Sequence, residues 1–238
     1  MIFDYGQTLL CEREWDDRRG YAALLRCAAK NPRHITPEGL AAFAARCFEE
    51  VGAPLREREI HQWQVDRLVF ELLELEFSLP PEELERVFHE ACIRFKPMPH
   101  VEELLALLRE LGIRSGVMSN IRQSGAELRR RLEKYFPAHT FEFVIASSEY
   151  GVRKPDPLIF RLALAKANLP PADIWFCGDH ARCDADASYA MGMRPVWYTD
   201  ETTPPLYEVR PMEPACPHLR IFDWRELITY MKELQSRC

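Results

Sequence analysis

The sequence predicts an α/β protein, a doubly wound parallel sheet with an all-helical segment inserted behind its first strand. Three observations carry that prediction. Short, near-continuous apolar runs alternate with amphipathic stretches through residues 96–238, the pattern of strands covered by helices on both faces. Residues 11–95 contain no run that reads as a strand. Polar residues gather just beyond four of the apolar runs, where open parallel sheets place their ligands.

The elements follow in order. Residues 1–4 are a short apolar strand that meets a turn at Gly6. Four amphipathic helices are expected at 16–29, 37–51, 57–76 and 81–95, separated by Asn31-Pro32, Gly52-Ala53-Pro54 and Pro80-Pro81, since Gly and Pro punctuate helices. Strands are then expected at 113–119, 141–147, 174–178 and 194–199, with helices at 101–111, 125–135, 157–167 and 184–191. Pro99 and Pro157 suit helix starts, while Gly112, Leu169-Pro170 and Gly192 suit helix ends. A Pro-rich loop over 203–217 leads to a last strand and helix within 219–234. The expected domains are a core of residues 1–10 and 96–238 and a helical cap of residues 11–95 over the sheet's active edge.

Composition narrows the function. The chain has 238 residues, 47% hydrophobic and 29% charged, enough to bury a real core and too apolar for disorder. Its 31 basic and 37 acidic residues give a net charge of −6; nucleic-acid binders usually present a basic face, so no nucleic-acid partner is expected. The span 11–95 holds 12 basic and 17 acidic side chains against 19 and 20 elsewhere, an acidity that sits poorly with a polyanionic partner. No run reaches the ~18 apolar residues of a membrane span, and the N-terminus lacks a signal-peptide pattern. Eight cysteines without a CxxC pair read as reduced thiols. A cytoplasmic protein without a membrane partner is expected, with monomer and homodimer both open.

The strand ends carry the chemistry. The first run ends in Asp4-Tyr5-Gly6-Gln7-Thr8, the second in Ser119-Asn120, the third leads to Lys154-Pro155-Asp156-Pro157, and the fourth ends in Gly178-Asp179-His180, with Asp184 following. In order and spacing these motifs resemble the haloacid dehalogenase (HAD) superfamily of hydrolases, in the branch with a helical cap between the first two motifs. The resemblance spans residues 4–184 and extends to the cap position and the closing strand and helix. It implies a Rossmann-like core, a Mg²⁺ cofactor and hydrolysis through a covalent aspartyl intermediate, most often on phosphate esters.

Each residue suits the role the resemblance implies. Asp4 would be the nucleophile and divide one hard step into two. Asp4, Asp179 and Asp184, with the Gly6 carbonyl, would hold Mg²⁺, a hard cation that takes oxygen ligands. Lys154 would neutralise nucleophile and phosphoryl group, and Ser119 would hydrogen-bond phosphoryl oxygens. Asn120, His180, Trp15, Arg18 and Arg19 are the further candidates for substrate contact. Cys177 and Cys183 read as packing residues, since thiolates are poor Mg²⁺ ligands.

The first motif departs from the family. Its phosphatases typically carry a second aspartate, the general acid/base, where this chain has Gly6. General acid–base help contributes ~10²–10⁴-fold, against ~10²¹-fold accelerations of phosphate monoester hydrolysis, so its loss leaves room for a slower phosphatase. Good leaving groups, as in sugar-1-phosphates or acyl and aryl phosphates, would suffer least. The alternatives are a weak or inactive ligand-binding member and the dehalogenase or phosphonate-cleaving branches. Retention of Asp179 and Asp184 speaks against the metal-free dehalogenases. Lys30 is the only lysine within 11–95, and it lies beside a helix breaker rather than in a position suited to Schiff-base chemistry.

Overall fold

The structure is a computed structural model that describes residues 1–52, 58–200 and 213–236. The expected helix start at Glu57, the Ala53-Pro54 breaker, most of the Pro-rich loop and Cys238 lie outside these residues. The first part of the chain runs β1 (Ile2–Phe3), β2 (Leu10–Arg13), α1 (Asp17–Arg26), β3 (Ala28–Lys30), α2 (Pro37–Gly52), α3 (Gln62–Leu72), β4 (Glu76–Phe77), α4 (Pro81–Cys92) and β5 (Arg94–Pro97). The second runs α5 (Val101–Glu110), β6 (Gly116–Ser119), α6 (Gly125–Tyr135), β7 (Val144–Ala146), α7 (Pro157–Ala167), β8 (Trp175–Gly178), α8 (Ala187–Ala190), β9 (Arg194–Tyr198), β10 (Leu219–Ile221) and α9 (Trp224–Ser236).

Six strands make one parallel sheet in the order β10–β9–β8–β1–β6–β7. Side chains alternate faces along a strand, and here both faces are packed. Ile2, Met118, Ile145 and Phe176 enter one hydrophobic cluster with α7; their neighbours Phe3, Val117, Ala146 and Cys177 enter the other with α5, α6 and α9. Burial on both sides is why these strands read as unbroken apolar runs. Trp224 of α9 stacks on Tyr198 at 4.5 Å and meets Phe3 edge-on at 5.9 Å. Its indole N–H donates to the Thr8 carbonyl at 3.2 Å, which ties α9 to the loop behind β1.

Helices α1–α4 surround a hydrophobic cluster of their own, drawn from residues 21–93 and including Tyr21, Leu40, Val69 and Phe88. Two short strand pairs were absent from the sequence reading. β2 and β5 pair antiparallel, Cys11 opposite Lys96, so both chain crossings between sheet and helices run through one ribbon. β3 and β4 form a smaller antiparallel pair beside the helices. Pieces of two to four residues are too short to display a period. For the same reason α4 stops at Cys92 rather than Phe95: Ile93 turns extended, with φ −136° and ψ 146°, to enter β5. No helix among the described residues is long and apolar enough to cross a membrane.

Candidate active site

β1, β6 and β8 are neighbours in the sheet, so the residues beyond their ends share one edge. Asp4 follows β1 and its N–H donates to the Cys177 carbonyl at 2.8 Å, which continues the ladder into the site. Ser119 closes β6, and Asp179 follows β8. Lys154 reaches in from the loop behind β7 and donates from Nζ to Asp4 Oδ1 at 2.6 Å and to Asp184 Oδ1 at 2.5 Å. Asp4, Ser119, Lys154 and Asp184 are all buried.

The loop geometry fixes these groups. The chain leaves β8 through a wide, π-helical turn over Ala181–Asp186, so the helix expected from residue 184 shortens to α8. Within the turn the His180 N–H donates to Asp184 Oδ2 at 2.9 Å, and His180 Nδ1 accepts from the Cys183 N–H at 3.2 Å. A Cβ on Gly178 would lie 2.5 Å from the Asp184 carboxylate, so glycine lets that side chain sit against the strand end. Trp197 Nε1–H donates to the Asp179 carbonyl at 2.8 Å. The Asn120 amide clamps the Lys154 backbone, donating to its carbonyl at 2.8 Å and accepting from its N–H at 2.7 Å.

Three carboxylates, of Asp4, Asp179 and Asp184, have oxygens within 4.8 Å of one another, against the one ammonium of Lys154. Burial pushes Asp4 up to about 6, with Lys154 opposing the rise and Asp184 adding to it. Burial, then the charges of Asp4 and Asp184, hold Asp179 well above the ordinary carboxylate range. Burial works against the charge on Lys154, yet Asp184 and Asp4 together keep its pKa above the ordinary lysine value. Hard oxygen donors with excess negative charge at close quarters fit a divalent cation such as Mg²⁺, which takes one or two carboxylates and keeps part of its water shell. Gly6 sits on the tight turn behind Asp4, and a Cβ placed on it meets nothing within 4 Å.

A cavity of about 1010 Å³ opens from this cluster toward the inserted helices. Ser119, Asn120 and His180 line it, as does Trp15 from the entry to α1. Arg18 and Arg19 do not line it: Asp16 caps α1 by accepting from the Arg18 N–H, Arg18 stays exposed beside Asp16, and Arg19 donates to the Glu14 carbonyl at 2.7 Å. The capped helix start thus turns both guanidinium groups outward. The Asn120 amide holds the Lys154 backbone at both its ends, so a substrate meets it already engaged. His180 uses Nδ1 to cap its own turn.

Residues that sequence reasoning missed include Thr8, whose hydroxyl lies 3.4 Å from Asp4 Oδ2 and 3.5 Å from Asp179 Oδ1. Its place four residues after Asp4 on the turn was the available signal. His89 and Gln123 also line the cavity; they lie 34 residues apart, and nothing in their local sequence marks them.

Comparison with known proteins agrees with this arrangement. The family model of the haloacid dehalogenase-like hydrolases matches residues 3–192. A phosphoserine phosphatase from Thermus thermophilus is 31% identical over 219 residues, 90% of this chain and 76% of that protein. A glyceraldehyde 3-phosphate phosphatase from Pyrococcus abyssi is 32% identical over 106 residues, 43% of this chain and 42% of that one. The crystal structure of a 2-haloacid dehalogenase from Pseudomonas syringae pv. Tomato shares the fold, with a TM-score of 0.62 over 98% of this chain and 97% of that one at 22% identity. With these matches and an acidic site at the ends of β1 and β8, the chain belongs to the haloacid dehalogenase-like hydrolases.

Proposed function

We propose that this hydrolase is a Mg²⁺-dependent phosphatase of small phosphorylated metabolites that works through a phosphoryl-aspartate on Asp4. The observation that carries the reading is the Lys154 ammonium held between Asp4 and Asp184 in one buried site. A carboxylate attacks an anionic phosphoryl group only where cations offset their repulsion. Asp4, Asp179, Asp184 and the Gly6 carbonyl would hold the ion, which when bound supplies charge neutralisation to the phosphoryl oxygens.

In this reading a carboxylate oxygen of Asp4 forms a bond to phosphorus, and the bond from phosphorus to the leaving-group oxygen breaks. The departing oxygen takes its proton from solvent, since no carboxyl stands at position 6. Water then attacks phosphorus, the bond to Asp4 breaks, and inorganic phosphate leaves with Asp4 restored. Lys154 holds Asp4 in place and offsets charge through both steps, and Ser119 donates to the phosphoryl group. Residues 11–95 act as the lid over the core of residues 1–10 and 96–238. An acidic lid suits a small monophosphate and does not suit nucleic acid.

The named relatives differ in leaving group, serine in one and glyceraldehyde in the other, so the reading stops at the class of small phosphomonoesters. A panel of such esters tests it. Turnover is expected with Mg²⁺, is lost on chelation and returns when Mg²⁺ is restored, and Asp4→Asn lowers it by at least ~10³-fold. Equal turnover by Asp4→Asn on every ester would overturn the mechanism. A ligand-binding role without catalysis would appear as tight ester binding with no turnover, but such a protein has no use for a nucleophile held by Lys154.

A further inference from the structure

One buried cation lies outside the catalytic cluster. Arg131 of α6 is only 3% exposed, a rare position for a guanidinium, which is seldom buried without partners. It does not line the catalytic cavity. Its Nη1 donates to the Tyr5 hydroxyl at 3.0 Å, and its Nη2 donates to Glu127, one turn earlier, at 3.2 Å. Its flat face lies on the ring of Phe95 in β5, with Cζ 4.1 Å from the ring centroid, the geometry of a cation–π contact. Three parts of the molecule therefore meet on one side chain: the residue after Asp4, the ribbon to the inserted helices, and α6.

Stability alone does not call for an arginine at this place. The carboxylate bonded to Arg131 is that of Glu127, and Arg130 grips both of its oxygens at 2.8 Å. A buried ion pair recovers little beyond its own desolvation, and apolar residues of similar volume often serve as well or better. What an arginine adds is direction, through a planar fork with donors at fixed angles and a face for an aromatic ring. Such a group fixes two neighbours relative to each other, which a leucine or methionine does not.

The first of these neighbours is Tyr5, which lies between Asp4 and Gly6 in the chain. Its carbonyl accepts from the N–H groups of Leu9 and Leu10 at 2.9 and 3.1 Å, so the turn that presents Asp4 and Gly6 closes on the Tyr5 backbone. Its ring is buried in the core cluster beneath the sheet edge and meets Phe95 at 6.3 Å, and Arg131 holds the far end. The second neighbour, Phe95, stands opposite Glu12 in the β2–β5 ribbon, through which both crossings to the inserted helices run. Arg131 thus grips the nucleophile's turn and the lid's tether together. Displacing a reacting group by about 1 Å costs up to ~10²-fold in rate, even when the cause lies far from the chemistry.

We propose that Arg131 is a positioning residue for the nucleophile: it holds the Tyr5 hydroxyl against the lid ribbon and so fixes the turn from which Asp4 attacks. The proposal rests on the phosphatase reading, in which Asp4 is the nucleophile, and adds a residue that acts on it without touching substrate. The placement of Asp4 and the path of the lid ribbon then depend on one side chain.

The test uses the full chain with Mg²⁺ and reads kcat and KM on 4-nitrophenyl phosphate, whose leaving group needs little help from a proton. Tyr5→Phe, which removes a single oxygen, and Arg131→Met are each expected to lower kcat about tenfold, the effect of one lost charge-assisted hydrogen bond, with KM within about twofold. The double variant should fall no further than the lower single one, since both remove the same contact. Arg130→Met is the control: it disturbs the same Glu127 without touching Tyr5, and kcat should stay within about twofold of wild type. An unchanged kcat in Tyr5→Phe, losses that multiply in the double variant, a raised KM at constant kcat, or an equal loss in Arg130→Met would overturn the proposal and leave Arg131 a packing residue. Tyr5→Phe and the control decide by themselves if the Arg131 variants fail to fold. Turnover that depends on Asp4 but ignores Tyr5→Phe would sink the proposal alone, whereas no turnover by the wild type would sink the phosphatase reading with it.

Discussion

At the scale of single residues, the proposed chemistry turns most on Gly6. The turn behind Asp4 leaves the space beside Gly6 open, with nothing within 4 Å of an added Cβ, and Gly6 lines the cavity. A carboxylate is therefore missing from a place that has room for one. Gly6→Asp should raise kcat on alkyl phosphates, whose leaving groups need a proton, by roughly 10²-fold, the lower end of general acid–base effects, and should change aryl phosphates far less. Leaving-group series measured on both proteins check this; a uniform gain across the series would assign the effect to something other than proton transfer.

The residues proposed to react were legible because each sits at or behind a strand end in a motif of its own. Asp4, Ser119, Lys154 and Asp179 follow apolar runs whose ends one sheet edge must bring together, and the structure does bring them together. The cavity walls were not legible. Arg18 and Arg19 looked promising by nearness to Asp4 in sequence, yet the Asp16 cap turns them outward. His89 and Gln123 meet only because α4 packs over the loop behind β6, a tertiary fact with no local pattern.

At the scale of elements, α3 carries a buried carboxyl whose titration the fold must accommodate. Asp66 is held up at about 7, chiefly by burial, with the Gln62 amide opposing the rise at 3.3 Å and Glu85 adding to it. A folded pKa above the ordinary value of 3.8 means the folded state binds the proton more tightly than the unfolded one. That contribution to stability is full below about pH 4 and is lost as pH rises through about 7. Asp66→Asn should leave stability near pH 4 almost unchanged and raise it at pH 8 by roughly 2–4 kcal/mol. Denaturant melts at the two pH values check this, and an equal change at both would refute the assignment. The same scale shows why β2–β5 and β3–β4 escaped the sequence reading: strands this short are fixed by partners distant along the chain, not by their own alternation.

At the scale of the whole molecule, the inserted helices and the sheet are joined by the β2–β5 ribbon and by a few polar contacts across the cavity mouth. Glu85 of α4 accepts from the Ser124 N–H at 2.7 Å and from its hydroxyl at 2.6 Å, the Gln62 N–H donates to the Arg122 carbonyl at 2.8 Å, and Ser147 donates to Glu59 at 2.9 Å. Bonds to a carboxylate are the stronger of these, and Glu85 accepts two of the three, so Glu85→Ala should weaken the seated arrangement most. The expected result is a KM raised about tenfold, from the loss of roughly 1.4 kcal/mol, with a smaller change in kcat; a fall in kcat at constant KM would place Glu85 in the chemistry instead.

The central claim is that Asp4 becomes phosphorylated during turnover. Rapid acid quench of the enzyme with a ³²P-labelled phosphomonoester and Mg²⁺, followed by proteolysis and peptide mapping, tests it directly. The account predicts acid-stable, base-labile label on the N-terminal peptide that contains Asp4, and none in Asp4→Asn. Turnover without label on that peptide, or label on another residue, would contradict it.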